Sequence, residues 1–127
     1  MGGTVADLMI TLGDSINAYN NHAKGKIQAN LTTDVVVVEE TPRGDFKGQK
    51  GIDKLEQEFE FRPKFTLLHV DANLHGAPDG AIFKATLTGS AKYQDTRKNV
   101  ILQFTFEAAF TERWRFQKVS ARTVQPE

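Results

Sequence analysis

Val5, Leu8, Met9, Leu12, Ile16 and Tyr19 recur at spacings of three and four. That pattern predicts one amphipathic helix of about four or five turns. Thr4 reads as its N-cap, with Asp7 beside the positive helix end. Gly13 interrupts the run at a cost of roughly 1 kcal/mol relative to Ala. Asn20, Asn21 and His22 end it. A short second helix over Lys24–Leu31 sets Ile27 and Leu31 on one face, and Thr32, Thr33 and Asp34 break it. Val35–Val38 is β-branched throughout, which predicts a strand buried on both faces. Thr41–Asp45 carries turn chemistry and reads as a loop. A third helix is expected over Gly51–Phe61, with Ile52, Leu55 and Phe59 on one side and Arg62-Pro63 as its stop.

Four strand-like runs follow: Phe65–His75, Ala81–Lys92, Asn99–Glu112 and Arg113–Val124. Gly76–Gly80 and Gln94–Lys98 suit hairpin loops. No Gly, Pro or Asn marks the break near Glu112. The third run alternates, with Val100, Leu102, Phe104, Phe106, Ala108 and Phe110 on one face and Ile101, Gln103, Thr105, Glu107 and Ala109 on the other. Helices first and a long sheet afterwards give an α+β chain. Its three N-terminal helices pack over a curved, mainly antiparallel sheet and leave a pocket between the layers.

The 127 residues fit a single domain, 1–127, with one core. Sixteen basic side chains balance sixteen acidic ones, which argues against a sequence-independent nucleic-acid binder. The absence of cysteine excludes disulfides, thiolate catalysis and cysteine metal sites. No run of about eighteen apolar residues is present, so no membrane span is expected. The first residues do not read as a signal peptide, which makes the cytoplasm the default location. Gly44, Gly48 and Gly51 fit neither phosphate-loop nor dinucleotide patterns, and no cofactor is expected.

Few side chains suggest chemistry. Glu39 follows four valines. A carboxylate at the end of a buried strand has its pKa raised by desolvation, which suits a general base; the bland reading is that it reaches solvent. His69 lies in an apolar strand, as a pocket acid/base or as a hydrogen-bonded core residue; Leu68, Val70, Ala72 and Leu74 form the cleaner apolar set, which puts His69 on the opposite face, either pocket or exterior. His75 shares that face beside the hairpin loop. The two histidines sit roughly 20 Å apart on one strand, too far to share a metal ion, so no metal site is expected. Ser15 has no His-Asp partner at a recognisable spacing. Tyr19, Phe59, Phe61, Phe104, Phe106, Phe110, Trp114 and Phe116 are the large aromatics expected to fill the centre or wall a pocket.

The chain resembles the nuclear transport factor 2-like superfamily, which includes ketosteroid isomerases, SnoaL-like polyketide cyclases and scytalone dehydratase. The resemblance rests on Ile16–Asn20 in the first helix, Leu31–Val37 entering the first strand, Gly48–Ile52 before the third helix, and Trp114–Phe116 with Val119–Arg122 at the end. It spans nearly the whole chain and implies a cone-shaped fold, often dimeric through the outer sheet face. By position, Glu39 matches the proton-shuttling carboxylate of the isomerases. Ser15 stands where they carry an oxyanion-binding tyrosine, with Tyr19 one turn later. Phe106 stands near a third carboxyl position, with Glu107 adjacent and facing the other way. The dehydratases use histidines with an aspartate, a role His69 and His75 are candidates for.

Three readings follow. The first is a cofactor-independent isomerase, lyase or cyclase acting on a small hydrophobic, ring-bearing molecule. Glu39 takes a proton, His69 or Tyr19 stabilises the developing charge, and Ser15, Phe59, Phe61, Phe104, Phe106 and Trp114 bind the substrate. The second is a ligand-binding module without turnover. The third is a dimeric interaction domain whose pocket is filled by its own aromatics. A homodimer is expected under all three, because Ile101, Thr105 and Ala109 give the outer sheet face modest polarity.

Overall fold

The computed structural model describes residues 4–39, 44–57, 64–76, 82–95 and 98–126; at 39, 82, 94, 95, 98, 99, 125 and 126 it describes the backbone alone. Helix α1 spans Val5–Asn20. The Thr4 hydroxyl caps it by accepting from the Asp7 amide at 3.2 Å, which satisfies one of the free N–H groups of the first turn. Leu8, Leu12 and Ala18 are buried along the helix, and Met9, Ile16 and Tyr19 pack beside them. His22, in the left-handed region at φ 56°, turns the chain into α2, Lys24–Ala29.

Strand β1 is Leu31–Glu39 and β2 is Gly44–Lys47. Helix α3 is Gln49–Gln57. Then come β3, Thr66–Gly76, β4, Ile82–Asp95, β5, Lys98–Phe110, and β6, Trp114–Pro126. The six strands form one sheet in the order β2-β1-β6-β5-β4-β3. Strands β1 and β6 run parallel, and every other neighbouring pair is antiparallel. The molecule is therefore α+β with a mixed sheet. Leu8, Leu12, Ile27, Leu31, Val35, Ile52, Leu87, Trp114 and Phe116 form one continuous core between the helices and the inner sheet face.

Three details depart from the sequence pattern. Thr32–Asp34 does not end an element but lies inside β1, which starts at Leu31 opposite Phe116; the register shift between Leu31 and Val36 absorbs the polar residues. The segment read as a loop before α3 contains β2, which pairs Val37 with Phe46 and Val38 with Asp45. Four residues are too few to display a period. The valine run is not fully buried on both faces: Val35 and Val37 are buried, whereas Val36 and Val38 are half-buried. The expected end of the third helix, including Phe59 and Phe61, lies outside the described residues.

Register shifts interrupt the sheet. The β3–β4 register shifts between Leu67 and His69, and the β5–β6 register shifts between Glu107 and Ala108. Gly89 lies opposite Val70 and Phe104. A Cβ there would stand 2.1 Å from the His69 carbonyl oxygen and 2.8 Å from the Phe104 ring. Glycine is required because two neighbouring groups occupy the space of a side chain. Strands β5 and β6 join through Glu112, held at φ 76°, with the Thr111 amide donating to the Arg113 carbonyl at 3.2 Å.

Candidate functional site

An apolar cavity of about 160 Å³ lies between helices and sheet. Leu12, Ser15, Ile16 and Tyr19 line it from α1, Ile27 from α2 and Leu55 from α3. Phe65 and Leu67 close one side at the start of β3. Ala91, Leu102, Phe104, Phe106, Phe116, Val119 and Ala121 form the sheet wall. Among these residues only Ser15 and Tyr19 carry a polar side chain. They sit four positions apart on α1, a spacing that puts both on one helix face.

Tyr19 stacks obliquely on Phe65, with ring centroids 5.1 Å apart, and Phe65 meets Tyr93 edge-on at 5.4 Å. Asn20 holds this arrangement. Its Nδ2 donates to the Phe65 carbonyl at 3.0 Å, and its Oδ1 accepts from the Phe65 amide at 2.8 Å. The two bonds tie the end of α1 to the entry of β3 and fix where Phe65 meets the cavity. Sequence periodicity marks Asn20 as a helix end and gives no sign of this partner.

On the floor, Phe104 and Phe106 pack with centroids 4.8 Å apart, and Phe106 meets Phe116 edge-on at 5.4 Å. Ser15 Oγ donates to the Thr11 carbonyl at 2.8 Å and accepts from Asn30 Nδ2 at 3.1 Å. Glu39 closes β1 opposite Gly44; its side chain lies outside those described. Tyr19, Ser15, Phe104 and Phe106 therefore meet around one space.

Three candidates do not join them. His69 lies on the outer face of β3, its side chain 65% exposed, with Nε2 2.8 Å from Asp71 Oδ2. The register shift after Leu67 turns Leu67 toward the cavity and His69 away from it. His69 is not among the residues that line the cavity. His75 is also exposed, beside the Thr86 hydroxyl at 3.0 Å. Trp114 is 1% exposed and packs on Phe110 with centroids 5.3 Å apart, away from the lining. It is a core residue rather than a substrate contact, and its indole Nε1 has no hydrogen-bond partner among the described residues. No group of three or more His, Cys, Asp or Glu side chains converges as a metal site among the described residues. Among them no helix is long and apolar enough to cross a membrane.

No family model and no curated protein sequence matches the chain. Solved structures do. An NTF2-like protein of unknown function from Pseudomonas putida is similar at 13% identity and a TM-score of 0.75, over 91% of this chain and 83% of that one. A ketosteroid isomerase-like protein from Erwinia carotovora atroseptica is similar at 13% identity and 0.71, over 96% and 97%. A scytalone dehydratase-like protein from Novosphingobium aromaticivorans is similar at 12% identity and 0.69, over 94% and 83%. Likeness at these identities is a likeness of fold.

Proposed function

Taking a nuclear transport factor 2-like fold around an apolar cavity as the premise, we propose that the protein binds a small, hydrophobic, ring-bearing molecule and acts on it without a cofactor as an isomerase, lyase or cyclase. The observation that carries the reading is the convergence of the two polar α1 residues, Ser15 and Tyr19, on an otherwise apolar space. Apolar walls lower the local dielectric and strengthen a hydrogen bond made against them. Val36, Val37 and Val38 pair with Lys118, Val119 and Ser120. The next step of that parallel register brings position 39 level with Ala121, which lines the cavity. Glu39 is the general base of this reading. Its carboxylate takes a proton from a carbon next to a carbonyl, the electron pair moves onto the carbonyl oxygen, and the Tyr19 hydroxyl donates to that oxygen. Where the substrate carries a double bond between the β and γ carbons, returning the proton to the γ carbon moves that double bond into conjugation and completes an isomerisation; where the β carbon instead carries a leaving group, its expulsion completes an elimination.

Exchange in deuterium oxide tests the base without knowledge of the natural substrate. Incubated with a panel of cyclic and aromatic ketones, the wild-type protein is expected to load deuterium beside the carbonyl of at least one. Glu39→Gln should slow that exchange by roughly 10²–10⁴-fold while leaving ketone binding intact. Exchange that survives the substitution removes Glu39 from the reaction.

A second reading, a binding module without turnover, is favoured by Phe106. It stands where the resemblance places a third carboxyl, and its ring is packed between Phe104 and Phe116. In that case Glu39→Gln changes nothing because no exchange occurs in either protein.

A further inference from the structure

Asn30 is the only buried polar residue among those described, at 7% exposure. Its Oδ1 accepts from Arg113 Nη2, and its Nδ2 donates to Ser15 Oγ at 3.1 Å. Its backbone carbonyl accepts from the Phe116 amide at 2.8 Å. An asparagine amide can in principle be turned either way. A guanidinium, however, has only donors, so Arg113 must face the oxygen. That leaves the NH₂ group facing Ser15. The Ser15 oxygen is consequently an acceptor toward Asn30, and its own proton goes to the Thr11 carbonyl at 2.8 Å. A hydroxyl has one proton and two lone pairs. The proton and one lone pair are committed, and one lone pair remains on the cavity wall.

We infer that Ser15 determines ligand specificity as a hydrogen-bond acceptor, with its polarity set by Arg113 through Asn30, and that the molecule filling the cavity offers a hydroxyl or N–H there. A carbonyl at the same place would set oxygen against oxygen. The inference rests on the cavity being a ligand site and names the chemistry of one end of that ligand. The polarity is set from outside, because Arg113 is exposed and lines a separate polar crevice with Asp14, Asn17 and Lys26. Specificity can thus be altered at a residue that does not line the cavity.

The cavity, at about 160 Å³, is close to the roughly 150 Å³ that holds benzene in an engineered protein core. Single-ring probes are therefore matched to it. Calorimetric titration of phenol, toluene and benzaldehyde into the wild-type protein, Ser15→Ala and Arg113→Met separates the contributions. Ser15→Ala is expected to weaken phenol about three- to tenfold and to leave toluene unchanged or tighter. Arg113→Met frees the Asn30 amide to turn and should narrow the wild-type preference for phenol over benzaldehyde. Toluene binding shows that each variant is folded. If toluene binds throughout and phenol affinity follows it unchanged in both variants, the acceptor role of Ser15 is wrong and the cavity remains a ligand site. If none of the three probes binds the wild-type protein, the ligand-site reading fails and this inference fails with it.

Discussion

Glu112 holds a left-handed backbone at φ 76°, a region that costs a non-glycine residue roughly 1–2 kcal/mol. It makes the turn that presents Arg113 to Asn30, and its side chain is exposed. Glu112→Gly removes the steric cost but adds unfolded-state entropy, and a net gain of about 0.5 kcal/mol is expected as a higher melting temperature in thermal denaturation. A lower one would mean that the carboxylate supports the turn. Other single residues act through partners far away in sequence. Asn20 meets Phe65 across 45 positions, and Asn30 meets Arg113 across 83. Such pairings have no period and no local motif, which is why Asn20 reads from sequence only as a helix end and Asn30 only as a position within the second helix. Ser15 and Tyr19 are legible because their spacing follows the helix that carries them. His69 is not, because a one-residue register shift decides which face it occupies.

At the scale of elements, two glycines make opposite predictions. Gly13 lies exposed on α1, and an added Cβ meets nothing within 4 Å. Gly13→Ala should stabilise by up to about 1 kcal/mol through helix propensity. Gly89 is enclosed by β3 and β5, and Gly89→Ala should destabilise by roughly 1–3 kcal/mol through overpacking. Chemical denaturation of the pair checks both signs, and equal shifts in one direction would refute the assignment of Gly89 to a close approach. The regular elements are readable in advance because α1 keeps a helical stripe and β5 alternates cleanly. Strand β2 is not, since Gly44–Lys47 follows Pro42-Arg43 and gains its identity only from pairing with β1. The polar Thr32–Asp34 segment misleads for a related reason: the strand continues through it because Leu31 finds Phe116.

For the whole molecule, the resemblance implies pairing of two copies through the outer sheet face. That face carries Gln103 bonded to Arg122 at 3.0 Å and Glu107 4.0 Å from Lys118, with Thr105 exposed between them on β5. Sedimentation velocity is expected to give a dimer that Thr105→Arg dissociates by placing like charges face to face across a twofold axis; a wild-type monomer would refute it. The parallel pairing of β1 with β6 has a different kind of consequence, one of timing. On a ribosome, β1 emerges with its valines before its partner β6, which follows every other strand of the sheet. Until then one side of β1 is an unpaired edge with exposed apolar side chains. Loop closure over most of the chain must precede the pairing, which slows folding. The nascent protein therefore depends on α2 and α3, the helices that pack on β1, to shield it, and a helix-weakening substitution there should lower yield during synthesis more than it lowers the stability of the finished fold.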